Sequence, residues 1–301
     1  YTRLDENQSP NTVWRHIVGT KQADDQLIYQ LEHPGRFIGL GKTSSTAWIT
    51  IDIHDHQTNQ SFLLPADLEN LSPIAVTDWI EGLEYELEHV DPYLIIRGNH
   101  GHEDFALFRA PLPKAKIRSN PEHWEPLWVP KKKALFSDYE VLEKHWVIEY
   151  SEEGCGRYLI VEPDPNQFKV RRELILSTSI HDTHLDPLPG FNRDTIRMRV
   201  STPAIPPEVR EIDLKTGNSK RLKVSSPPNG HTESNYVVRR AYGVSGDGQE
   251  VPLTIVHHKD VTPHPESPVL LTGYGAYGMS LTPGFSASRR TIRRHRRSTG
   301  F

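Results

Sequence analysis

The 301-residue sequence contains a single cysteine, Cys155. One thiol excludes an internal disulfide and fits a reducing, cytoplasmic setting. No apolar run is long enough to cross a bilayer, and no basic-then-apolar leader opens the chain, so neither a membrane partner nor export is expected. A strong charge of either sign is also lacking. The 35 Lys and Arg stand against 39 Asp and Glu, and the net charge of −4 gives no reason to expect nucleic acid as a partner. Long uninterrupted segments are scarce, because 24 prolines and 20 glycines punctuate the chain and favour short strands over long helices. What remains is polar, with a mean hydropathy of −0.58, yet too aromatic for a disordered chain. The length allows a sizeable core and two domains. The chain opens at Tyr1, in what reads as mid-strand, and stops at Phe301 just after a cluster of arginines. It is expected to be a piece of something larger, truncated at both ends.

Short strands are legible throughout. Thr12–His16, Gln26–Leu31, Phe37–Leu40, Ala47–Ile53 and Ser61–Leu64 come first, then Tyr85–His89, Tyr93–Arg97 and Phe105–Arg109. In Ala47–Ile53, Trp48, Thr50 and Asp52 alternate with Ile49, Ile51 and Ile53, the pattern of a half-buried strand. The prolines around Pro121–Leu127 allow at most a short helical interruption. His145–Tyr150 and Arg157–Glu162 flank the hairpin composition Glu152-Glu-Gly-Cys-Gly156. Thr195–Ser201, Glu208–Leu214 and Ser219–Val224 follow, the last two bracketing Lys215-Thr-Gly-Asn218, where Asn218 suits a left-handed turn position. Many short, evenly spaced strands mean a sandwich, barrel or propeller, and no strict repeat selects among them.

The chemistry is expected further on. Asn235–Gly243 and Glu250–His258 read as strands joined by the turn Ser245-Gly-Asp-Gly248. Val269–Thr272 reads as a short buried strand running into Gly273, Gly275 and Gly278. Two hairpinned strands, then a buried strand ending in a Gly-rich loop, is how an α/β-hydrolase sheet opens. In that fold the loop supplies an oxyanion-hole donor. The string from Tyr274 to Arg289 resembles the prolyl oligopeptidase family of serine peptidases, in its oligopeptidase B (protease II) branch. Val13 to Thr20, Gln26 to Tyr29, Ile53 to Asn59, Asn99 to Pro111 and Ile212 to Gly217 are similar to blade segments of that branch.

The resemblance runs collinearly from Tyr1 to Arg289 and implies a mostly β fold. A partial β-propeller of the seven-bladed type would span 1–228, and the first strands of an α/β-hydrolase domain 229–301. It implies cleavage of short peptides after Lys or Arg through a Ser-His-Asp triad, with the propeller excluding large folded substrates. No cofactor and no metal are implied, and the oligomeric state is left open. Tyr274 holds the position of the family's oxyanion-hole hydroxyl, and Tyr277 that of an aromatic lining the substrate pocket. The plainer reading is that both rings merely pack the domain.

No G-x-S-x-G nucleophile elbow occurs in the chain, and Ser245 lies in a hairpin turn. By the resemblance, the triad and the acidic residues that select basic side chains lie beyond residue 301. The chain alone is therefore expected to be inactive, and the alternative function is a non-catalytic propeller module that binds peptides or a partner. The pairs His54/His56 and His100/His102 have a spacing used by zinc sites, but without a third histidine element they read as solvated turns. His181/His184 offers a metal ion still less, and Lys131 to Lys133 reads as a solvated loop rather than a binding patch. Residues 290–301 diverge into a basic tail too densely charged for an amphipathic core helix. Val269, Leu270 and Leu271 are expected to expose apolar surface, and the linker from Ser225 to His231 is expected to be cut first by proteases.

Overall fold

The computed structural model describes residues 1–67, 71–114, 117–176, 179–227, 231–276 and 279–287. The chain divides into two compact units. The first comprises Tyr1–Ile148, Val161–Arg171 and Gly190–Arg193; the second comprises Glu149–Ile160, Arg172–Pro189 and Asp194–Phe301.

Strands β1 (Thr2–Leu4), β2 (Pro10–Arg15) and β3 (Gln26–Gln30) form a three-stranded sheet. Next come β4 (Phe37–Lys42), β5 (Trp48–His54), β6 (Asn59–Pro65) and β7 (Ile74–Ala75), paired in chain order. The same up-and-down order recurs in β8 (Tyr85–Val90), β9 (Tyr93–Gly98), β10 (Ala106–Pro111) and β11 (Glu125–Trp128). It recurs again in β12 (Ala134–Val141), β13 (Trp146–Glu152), β14 (Cys155–Val161) and β15 (Val170–Leu174), whose residues are shared between the two units. The last such sheet is β16 (Asp182–Asp186), β17 (Thr195–Ser201), β18 (Glu208–Asp213) and β19 (Ser219–Val224). A separate hairpin, β20 (Tyr236–Val244) with β21 (Glu250–His258), closes the series. Consecutive four-stranded meanders are the blades of a β-propeller.

The core of the first unit explains why blades form. Leu63 and Val76 pack against Leu94, Ile96, Ala106, Phe108 and Trp124 in one buried cluster. A second cluster joins Val13 to Ile38, Ile51 and Ile53. The central strands β5 and β9 bury residues on both faces, which changes the reading of β5. Its polar side is only partly solvated: Thr50 is buried, and half-buried Asp52 accepts from Ser61 Oγ at 2.6 Å and from Thr50 Oγ1 at 3.1 Å. On β9 both faces are apolar, and Leu94, Ile95 and Ile96 are wholly buried.

Around Pro121–Leu127 the helical interruption is as short as expected, a single 3₁₀ turn, Pro121–His123, capped by Asn120 Oδ1 accepting from the Glu122 amide at 3.1 Å. Strand β11 then follows. Two local expectations need correction. In the Lys215–Asn218 turn, Gly217 (φ 75°) rather than Asn218 takes the left-handed position, because Asp213 Oδ1 accepts from Thr216 N at 2.7 Å and fixes the turn one residue earlier. Val269–Thr272 forms no strand. Strands β20 and β21 pair only with each other among the described residues, so nothing offers that run a ladder of hydrogen bonds.

Candidate functional site

The Gly-rich stretch is set up by the β20–β21 hairpin in the second unit. Nine residue pairs hold it, from Tyr236 opposite His258 to Val244 opposite Glu250. The tight end is closed by Ser245 N donating to Gln249 O at 2.9 Å, with Gly248 at φ 84°. Asp247 accepts from the Ser245 hydroxyl and from Gln249 N, and those bonds hold its carboxyl below the usual range. Ser245 is therefore a turn-former. The hairpin also contacts the β13–β14 turn, where Arg240 Nη2 lies 3.2 Å from the buried Cys155 Sγ.

Beyond the hairpin, Val269, Leu270 and Leu271 are 83%, 61% and 79% exposed, as expected of an apolar run without a partner strand. Tyr274 is exposed at 52%, between Gly273 and Gly275. Tyr277 and Gly278 lie outside the described residues, as do Pro228–Gly230 of the linker and the basic tail 290–301. Burial returns only at Pro283–Ser286.

The histidine pairs are dispersed. His54 and His56 pack near Phe37, with ring centroids 5.5 and 6.1 Å away. His100 lies edge-on to Trp124, and His102 beside Phe108. His181 is buried, its Nε2 2.9 Å from Gly156 O, and His184 Nε2 lies 3.2 Å from Asp182 Oδ1. Among the described residues no three His, Cys, Asp or Glu side chains converge to hold a metal ion. Among the same residues no helix is long and apolar enough to cross a membrane.

Two features escaped the sequence. The first is a cleft of about 440 Å³ in the first unit, lined by Asp52, His54, Glu84, Glu86, Arg97 and Phe105 among others. Burial raises the carboxyls of Asp52 and Glu86, the latter opposed by Arg97. The Arg97 guanidinium lies 3.9 Å from the centroid of the Phe105 ring, donates from Nε to Phe136 O at 2.9 Å, and comes within 3.6 Å of Glu86 Oε1. Such a cleft can recognise charge. The second is a Ser–His contact, Ser45 Oγ to His89 Nδ1 at 3.0 Å. Its neighbours define its role: Glu88 accepts from Ser44 N at 2.7 Å and from Ser44 Oγ at 2.8 Å, so the β4–β5 turn is fastened to β8. Burial lowers the His89 pKa, which favours the neutral ring suited to that bond. The alternation of Glu86 and Glu88 along β8 was the available signal, and it does not by itself say which element faces them.

The meanders are the blades of a β-propeller, and the separate hairpin β20–β21 follows them. The chain belongs to the prolyl oligopeptidase family: the family model described as prolyl oligopeptidase, N-terminal beta-propeller domain, matches residues 1–225. Among curated relatives it is 25% identical over 274 residues to dipeptidyl aminopeptidase BI of Pseudoxanthomonas mexicana, covering 90% of this chain and 36% of the relative. It is 24% identical over 290 residues to protease 2 of Moraxella lacunata, covering 96% and 40%. The structure of oligopeptidase B from Leishmania major superposes with a TM-score of 0.83 at 25% identity, over 96% of this chain and 41% of that one. Oligopeptidase B from Trypanosoma brucei with covalently bound antipain, in its closed form, gives 0.82, also at 25%, over 95% and 41%. The chain thus spans about two fifths of the length of these relatives.

Proposed function

We propose that this chain is the propeller-bearing part of a serine oligopeptidase of the oligopeptidase B type, acting on short peptides after Lys or Arg. Residues 1–228 are read as propeller and 229–301 as the start of the hydrolase domain. A cytoplasmic setting belongs to the same proposal, on the strength of the single buried Cys155. The observation that carries the reading is a juxtaposition. A match to the family's propeller over residues 1–225 is followed directly by a two-stranded hairpin and Gly273-Tyr274-Gly275.

In this reading the Tyr274 hydroxyl donates to the oxygen that becomes negative in the tetrahedral intermediate, and Tyr277 lines the substrate pocket. Flanking glycines suit that role, because backbone without Cβ atoms lets a reacting group approach. The exposure of Tyr274 leaves its hydroxyl available to a substrate. Loss of one such donor costs about 3–4 kcal/mol of transition-state stabilisation. Tyr274→Phe in an enzyme carrying a complete hydrolase domain should therefore lower kcat by roughly 10²–10³-fold with little change in KM. An unchanged kcat would refute the assignment. The 301-residue chain contains no G-x-S-x-G, and alone it should not hydrolyse an arginyl amide above the buffer rate. Turnover by the pure chain, blocked by a fluorophosphonate, would refute that part.

A further inference from the structure

Every described residue from Pro268 to Thr282 is exposed, yet the two segments flanking that stretch meet at one place in the second unit. On the upstream side, the His258 ring at the end of β21 lies edge-on to Tyr236, with centroids 5.7 Å apart. On the downstream side, the Phe285 ring meets His231 edge-on at 5.2 Å. His231 and Tyr236 are themselves stacked at 5.4 Å. The four rings form a continuous ladder, His258–Tyr236–His231–Phe285. The ladder is anchored to the blade β16–β19 region by His231 Nε2 at 2.8 Å from Ala204 O.

The backbone beside Phe285 is held independently. Its amide donates to Ser201 Oγ at 3.4 Å, and Ser201 Oγ lies 3.3 Å from Asp182 Oδ2. Gly284 is packed against the same carboxylate: a Cβ there would fall 2.7 Å from Asp182 Oδ2 and 3.4 Å from Asp182 Cβ. A side chain at 284 would therefore have to displace the Asp182 carboxylate from its place beside Ser201.

We propose that His231 and Tyr236, with Asp182 and Ser201 of the last blade, form a clasp that holds Gly284 and Phe285 against the base of the β20–β21 hairpin. Tyr236 and His231 are positioning residues for that segment, because the Tyr236 ring meets His258 at the hairpin end and the His231 ring, stacked on Tyr236, meets Phe285. The clasp stands on these contacts and not on the function proposed above.

The test is hydrogen exchange read by mass spectrometry on the 301-residue chain. Phe285→Ala should speed exchange in residues 231–236, and His231→Ala should speed it in 283–287, each by about tenfold, with β17 and β18 unchanged. Ser201→Ala, a milder change, should act on 283–287 in the same direction. Absence of the reciprocal effect would overturn the clasp. If either larger variant also loosens β17 and β18, Ser201→Ala decides, and unchanged exchange at 283–287 in that variant overturns it. Tyr274→Phe should leave this exchange pattern intact, so a failed oxyanion assignment and a failed clasp give different results.

Discussion

The side-chain amide of Asn59 exchanges two hydrogen bonds with the main chain of Tyr85: Nδ2 donates to Tyr85 O at 2.7 Å and Oδ1 accepts from Tyr85 N at 2.6 Å. One residue at the start of β6 thereby acts as a strand-end partner for β8 in the next blade. The Tyr85 hydroxyl returns the link, accepting from Ser61 N at 2.8 Å. Among the described residues strands pair only within a blade, so side chains such as Asn59 join single main-chain bonds such as Asn59 N to Leu83 O at 2.9 Å in satisfying the groups between blades.

Asn59→Ala should therefore leave both main-chain groups of Tyr85 short of a partner. Removal of one side of a buried hydrogen bond costs about 1–3 kcal/mol. Urea unfolding should show that loss, against less than about 0.5 kcal/mol for Lys132→Ala at an exposed position. Equal midpoints for the two variants would contradict the role given to Asn59.

Acidity should act on Asp52 in a defined direction. Burial raises its pKa above the ordinary 3.8, outweighing the bonds from Ser61 and Thr50. A raised carboxyl binds a proton more readily in the folded state than in the unfolded one. Its penalty is fully present at neutral pH, shrinks as pH falls through the folded pKa, and is gone below 3.8. Asp52→Asn should therefore gain stability relative to the parent at pH 7 and lose that advantage by about pH 4. Denaturant titrations at the two pH values check this, and a difference that grows on acidification would be the wrong sign.

Gly217 sits at φ 75°, where a side chain costs about 1–2 kcal/mol. An added Cβ would also press on Arg172 Cδ at 2.7 Å, a contact the flexible arginine can relieve. Gly217→Ala should destabilise by about that amount and Gly217→Asn by less, since asparagine tolerates the left-handed region. Equal losses would show that the Arg172 contact dominates.

The exposed run Val269–Leu271 should drive self-association. The double substitution Leu270→Lys with Leu271→Lys should lower light scattering of the 301-residue chain without moving its unfolding midpoint. Unchanged scattering would place the adhesive surface elsewhere.

The sequence by itself determined the strand-rich fold. Period-2 alternation in β5 and the turn chemistry of Glu152–Gly156 are local properties, and both survive in the structure, with Glu153 and Gly154 in the left-handed region. Short strands with little alternation were not legible: β7 spans two residues, and β15 is exposed over most of its length, so neither carries a pattern. Family likeness marked Tyr274 and Tyr277, but not the contacts that join His231 to Tyr236 and Phe285. Those depended on distance in space. His231 lies 27 residues before His258 and 54 before Phe285, and no periodicity links them. Asp52 looked like a solvated residue on an outward face and proved to be half-buried, held by Ser61 and Thr50 at the edge of a cleft. The stretch Val269–Thr272 shows the reverse. Its composition suits a strand, but a strand exists only where a neighbour accepts and donates its hydrogen bonds, and that is decided by tertiary structure alone.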